Sequence, residues 1–140
     1  MPLLFDEDYT ILKDSGLDYK QDEGNRFLVI ENYPLPPGFY VSSQDKQPLE
    51  KVAVLLVIPS NYNTSGCDML WVHPALERAD GKIIPNVFTH GKSDARFFEG
   101  KEYCRWSRHF GTEAWSPKND NIQKILDRVE WALRNPDANK

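Results

Sequence analysis

The sequence is poor in cysteine and carries no basic excess. Cys67 and Cys104 are the only two cysteines in 140 residues, too few for a disulfide framework, so both thiols are expected free in a reducing compartment. There is no C-x-x-C or H-x-x-x-H pair. His73, His90 and His109 stand 17 and 19 residues apart and the cysteines 37 apart, spacings that do not suggest structural zinc. No glycine-rich phosphate loop is present. The formal net charge of −4 argues against a general nucleic-acid binder, which needs basic groups for phosphate contacts. The longest apolar run, "VAVLLVI", is far too short to cross a bilayer. The start, "MPLLFDEDYT", turns acidic at once and lacks the basic region and long apolar run of a signal peptide. Repeats and low-complexity tracts are absent as well. The expectation is one soluble cytoplasmic domain over residues 1–140, with no metal, no cofactor, and neither nucleic acid nor membrane as partner.

What is present is a loop-rich chain with enough apolar material for one core. Hydrophobic residues make up 40% and aromatics 12%, interrupted by ten prolines and eight glycines. "DEDYTILKD" predicts a short first helix ended at Ser15-Gly16. "RFLVIENY" predicts a strand closed by Pro34. "LPPGFY" is a turn. "EKVAVLLVIP" is the strongest strand signal, a nearly continuous β-branched run of the kind found in a strand covered on both faces. "SNYNTSG" is a loop and "CDMLWVHP" another strand. From Ala75 to about Tyr103 the pattern is weak. In "SPKNDNIQKILDRVEWALRNP", Ile122, Ile125, Leu126, Val129, Ala132 and Leu133 form one helical stripe. Ser116 is the expected N-cap, Pro117 the first-turn proline, and Asn135-Pro136 the stop. Segregated elements of this kind predict an α+β fold, an antiparallel sheet backed by a helix.

Most polar clusters read as solvent-facing. "DEDYT" and "QDEGN" are expected to be solvated faces, Asp68 a turn cap, and Trp71 a core residue. "CRWSRH" differs, because Cys104, Arg105, Ser107, Arg108 and His109 fall within six residues. Two arginines and a histidine beside a thiol would lower its pKa and would stabilise an oxyanion. A serine hydroxyl needs a base, and His109 stands two residues on. The bland alternative is a surface loop with Trp106 tucked beneath it.

Four stretches, in order, resemble the bacterial ubiquitin-conjugating enzymes of prokaryotic E2 family E. They are "YPLPPGFY", "VLLVIPSNYNTSGCDMLWVHP", "RWSRH" and "WSPKNDNIQKILDRVEWAL", which together span about three quarters of the chain. The resemblance implies a ubiquitin-conjugating fold, with a short N-terminal helix and an antiparallel meander backed by a C-terminal helix. It implies that the protein accepts a ubiquitin-like modifier, as an ester, from an activating enzyme and passes it to a target protein. ATP is used by the activating enzyme. It also suggests operon-encoded defence against phage. The sequence departs from the family pattern in two places. Asn63 and Cys67 stand where prolines are usual, and His73-Pro74 lacks a following asparagine. Arg105, Arg108 and backbone amides are then the oxyanion donors to expect.

The nucleophile is serine or cysteine. In similar eukaryotic enzymes it lies a few residues ahead of Trp-Ser-Pro, a register that falls on Ser107. Intrinsic nucleophilicity favours Cys104. Ser107, with an oxyester and His109 as base, is the preferred reading; a thioester on Cys104 is the alternative, and Cys67 ranks third. A module of the same fold that only docks an activating enzyme or a ubiquitin-like partner also fits. The enzyme reading puts "CRWSRH" in a surface loop, in a shallow groove beside the strand carrying Trp71. Trp115 is expected to be substantially buried against the last helix.

Overall fold

The computed structural model describes residues 2–92, 94–108 and 115–138. Helix α1 (Asp6–Asp14) is followed by strands β1 (Tyr19–Asp22), β2 (Phe27–Pro34), β3 (Tyr40–Ser42), β4 (Lys51–Val57), β5 (Leu70–His73), β6 (Leu76–Arg78), β7 (Arg96–Phe98) and β8 (Lys101–Trp106), then helix α2 (Ile122–Arg134). The six-stranded sheet runs β1-β2-β4-β5-β8-β7, and β3 and β6 form a separate pair. Every pairing is antiparallel. This is the α+β conjugating-enzyme architecture that the sequence predicts, a curled antiparallel sheet with a helix at each end of the chain.

Strand alternation divides the interior in two. From β4, Val52, Val54 and Leu56 join the main core, which α1 and α2 cover. Leu55, the residue between, joins a second cluster with Phe27, Val29, Trp71 and Tyr103 on the opposite face. Both Val54 and Leu55 are fully buried, which explains the unbroken apolar run in this strand. The second face is closed by curl. Lys20 on edge strand β1 reaches Glu99 in the β7–β8 turn at 3.1 Å. That turn takes φ of 50° at Glu99 and 76° at Gly100, as a tight two-residue hairpin requires.

The stripe on α2 is buried as predicted, from Ile122 to Leu133. Its start is a correction. The N-cap is Asn121, whose side chain accepts from the Gln123 N–H at 2.9 Å. Ser116 instead opens a separate turn, its carbonyl accepting from Asn119 and Asp120 and its own N–H bonded to the Asp120 carboxylate.

Asp8 corrects another expectation. Read as part of a solvated face, it is 1% exposed. Its Oδ2 accepts from the Phe5 N–H at 2.9 Å, closing the first turn of α1. Its Oδ1 accepts from the Tyr62 hydroxyl and from the Ile122 N–H, both at 2.9 Å. One carboxylate therefore serves the N-terminal ends of both helices, where orphan N–H groups and the helix dipole favour negative charge.

Candidate active site at the end of β8

"CRWSRH" is only partly a loop, since Ser107 and Arg108 follow the end of a strand. Cys104, Arg105 and Trp106 are the last three residues of β8, paired with Val72, Trp71 and Leu70 of β5. Residues 86–88 run along the other side. Phe88 N–H donates to Arg105 O at 2.9 Å and Ser107 N–H to Asn86 O at 3.0 Å. A strand surrounded this way must alternate. Cys104 and Trp106 point to the interior and are 1% and 0% exposed. Arg105 points the other way, and Ser107, just past the end of the strand, is half-buried at the centre of a tight turn in which Arg108 N–H donates to Trp106 O at 3.0 Å.

On the interior side the chemistry is quiet. The Cys104 thiol is pushed up to about 11 by burial and, secondarily, by the Glu102 carboxylate. This reverses the expected lowering, because the neighbouring guanidiniums do not reach it: Arg105 leaves on the opposite face, and Arg108 lies over Trp106. His90 Nδ1 lies 3.5 Å from Cys104 Sγ, but the imidazole has no lone pair to offer. Its Nε2 accepts from the Ala75 N–H at 3.1 Å, which leaves the proton on Nδ1, 3.1 Å from Glu102 Oε1. Cys67 is also buried, and burial pushes its thiol to about 12.

Arg108, expected beside the nucleophile, is fully buried. Its Nη1 donates to Pro85 O at 2.9 Å and to Ser107 O at 3.2 Å. The guanidinium sits 5.1 Å from the Trp106 ring centroid, and burial lowers its pKa from the usual arginine value. Among the described residues its Nε and Nη2 have no hydrogen-bond partner. It ties residues 85 and 107 together from beneath and is not directed at the surface.

On the outer side, Ser107 is half-buried and Arg105 is held in place. Arg105 Nη1 meets Asp94 Oδ2 at 2.5 Å, and its guanidinium lies 4.4 Å above the Phe88 ring. Asp94 Oδ1 takes Arg96 Nη1 at 2.6 Å, and Arg96 stacks 4.6 Å over Trp71. The two arginines, Arg96 first, hold the Asp94 carboxyl below its usual range. Trp71 Nε1 donates to Asp94 O at 2.8 Å. Among the described residues the buried Arg105 Nε has no hydrogen-bond partner, a condition that costs about 1–3 kcal/mol in an ordinary interior.

The structure thus sets Arg105 opposite Cys104 across β8, leaves Ser107 half-buried just past the strand and buries Arg108 fully. His109 lies outside the described residues. Sequence reasoning missed Asp94, Phe88, His90 and Glu102 as neighbours of the site, all from the weakly patterned stretch, where no spacing marks them.

Trp115 is half-buried, not fully enclosed. Its Nε1 donates to Asn63 O at 2.9 Å, and Arg128 of α2 lies 5.7 Å from its ring. The ring presses so closely on Gly66 that a Cβ there would fall 2.4 Å from it. Asn63 also accepts from the Lys118 N–H at 2.6 Å and donates to Asp120 O. The asparagine that departs from the family pattern therefore fastens the β4–β5 connection to the approach to α2.

Among the described residues no group of three or more His, Cys, Asp or Glu is arranged to hold a metal ion, and no helix is long and apolar enough to cross a membrane.

Fold and sheet order define a protein of the ubiquitin-conjugating class, with its candidate site at the end of an inner strand. The profile of prokaryotic E2 family E matches residues 4–136, and the chain belongs to that family. No curated protein and no solved structure matches it. Family membership gives the chain a role in ubiquitin-like conjugation, of the conjugating-enzyme type.

Proposed function

We propose that this chain, as a single conjugating-type domain, accepts a ubiquitin-like modifier from an activating enzyme as an oxyester on Ser107. It then passes the modifier to a target protein, in a cytoplasmic pathway of the kind that serves defence against phage. Ser107 Oγ attacks the carbonyl carbon of the modifier's C-terminal ester. The activating enzyme's group leaves with the electron pair, and the hydroxyl proton goes to a base, His109 in this reading, and then to the leaving group. The observation that carries the choice of serine is the sorting along β8. Ser107 is half-buried beside Arg105, whereas Cys104 is 1% exposed with its thiol pushed up to about 11.

The test is a gel. Mixing the protein with activating enzyme, modifier and ATP gives a covalent adduct that survives reducing agent and is cleaved by hydroxylamine. Ser107→Ala abolishes it and Cys104→Ala leaves it. A thiol-labile band lost in Cys104→Ala instead moves the reaction to sulfur. One observation favours the docking module as a second reading: Arg105 already has a counter-ion in Asp94 at 2.5 Å. No adduct with any variant would leave that reading standing.

A further inference from the structure

We infer that Asp94 is a positioning residue, holding the Arg105 guanidinium where it meets the negative oxygen formed as Ser107 is acylated. The inference rests on the Ser107 reading. When Oγ bonds to the incoming carbonyl carbon, the carbonyl oxygen takes the electron pair of its π bond and becomes an oxyanion. When the tetrahedral species collapses, that pair re-forms the double bond and the bond to the activating enzyme's group breaks. Only donors already aimed at the oxygen assist, because reorienting a side chain during the step costs what the contact returns.

Three observations single out Arg105. It stands at the end of β8, two residues before Ser107, and is half-buried like the serine, while Arg108 is fully buried. Its guanidinium is fixed by two contacts of different kinds, the Asp94 carboxylate at 2.5 Å and the Phe88 ring at 4.4 Å. Among the described residues its buried Nε has no hydrogen-bond partner, so Asp94 does not exhaust the donor capacity of this guanidinium.

Asp94 is suited to set this aim because it is itself fixed from three sides. Its carbonyl accepts from the Trp71 indole at 2.8 Å. Its second carboxylate oxygen is held by Arg96 at 2.6 Å. Its backbone takes a φ of 62°, a left-handed conformation in which aspartate is among the more tolerated residues. The carboxylate is shared by two guanidiniums, so it orients Arg105 without fully neutralising the pair. One positive charge remains on this face for the oxyanion.

The experiment measures the initial rate of adduct formation while the modifier-charged activating enzyme is titrated. Asp94→Asn keeps the shape and the backbone acceptor but loses the charge. It is expected to lower the saturating rate roughly 10- to 100-fold, with half-saturation unchanged within about twofold. Asp94→Glu is expected to recover most of the rate. Arg105→Lys is expected to lose a similar amount, and Arg105→Lys with Asp94→Asn no more than the worse single variant, because the two side chains act as one unit. Should Asp94→Asn fail to fold, Asp94→Ser supplies the same readout. A wild-type saturating rate in Asp94→Asn, a loss confined to half-saturation, or multiplied losses in the double variant would each overturn the inference. A serine-independent adduct, formed equally by Ser107→Ala, would instead overturn the reading on which it rests.

Discussion

The two sides of β8 at its C-terminal end were built from one run of polar residues, yet they belong to different worlds. On the inner side, Cys104, Trp106 and Arg108 are all at most 1% exposed. The thiol has lost its acidity, and the guanidinium is spent on backbone carbonyls. On the outer side, Arg105 lies among Asp94, Arg96, Phe88 and Trp71, and Ser107 follows half-buried just past the strand. A period of two separates residues that adjacency in sequence appeared to unite. Crowding of functional groups in a sequence therefore says little about a site until the local period is known.

The largest expected effect breaks the comparison along its length. Trp106 is fully buried and meets Tyr40 edge-on at 6.1 Å between centroids. Trp106→Ala removes a large aromatic from the core and is expected to cost about 3–5 kcal/mol. Ser107→Ala, one residue on, removes only the hydroxyl of a half-buried side chain and is expected to cost about 1 kcal/mol or less. Urea denaturation of both variants checks the pair. Similar losses in the two would mean that Ser107 is structural and that the two-sided description is wrong.

The second effect concerns the thiol. With a pKa near 11, Cys104 at pH 8 is about 0.1% thiolate, against roughly a quarter for a reference thiol near 8.5. Alkylation of the native protein is therefore expected to be slower than that of the unfolded chain by at least two orders of magnitude. The sign of the linkage follows. A folded pKa above the unfolded one contributes stability in full below about pH 8.5, and the contribution is lost as pH rises towards 11. Cys104→Ala is expected to flatten part of that alkaline decline in melting temperature. Cys67, pushed up to about 12, and the tyrosines raised by burial, Tyr33, Tyr40, Tyr62 and Tyr103, contribute with the same sign. Rapid alkylation of Cys104 at pH 8 in the native state would return sulfur to the list of acceptors.

Much of the frame was legible in the sequence, and the reasons are visible in the structure. β2, β4, β5 and α2 announce themselves because each is largely buried and apolar where it meets the core, whereas α1 buries only Asp8 and Leu12 and was legible through its Ser15-Gly16 stop. β8 was hidden. Its inward residues Cys104 and Trp106 alternate with Tyr103 and Arg105, and Tyr103 is buried too, on the other face of the sheet. β1, β3, β6 and β7 are three or four residues long, too short to show a period. The candidate nucleophile was legible through family resemblance, but its surroundings were not. Asp94 and Phe88 reach Arg105 only after the chain folds back along β8, and Asp8 becomes a shared cap only once the two helices meet.

The smallest effect sharpens the outer side. Phe88 is held to β8 through its backbone N–H, and its ring supports the Arg105 guanidinium from below at 4.4 Å. Leucine keeps the backbone bond and most of the volume but removes the π face. Phe88→Leu is expected to cost about 0.5–1 kcal/mol, the usual worth of a partly exposed cation–π contact. The loss should vanish in an Arg105→Met background, where no cation remains to stack. A double-mutant cycle reads this directly, as a coupling energy with the same sign and size. If Phe88→Leu costs as much with Met at position 105 as with Arg, the ring acts only by filling space. Arg105 would then be fixed by Asp94 alone, so that any loss of rate in Asp94→Asn should grow in Phe88→Leu only to the extent that packing is disturbed.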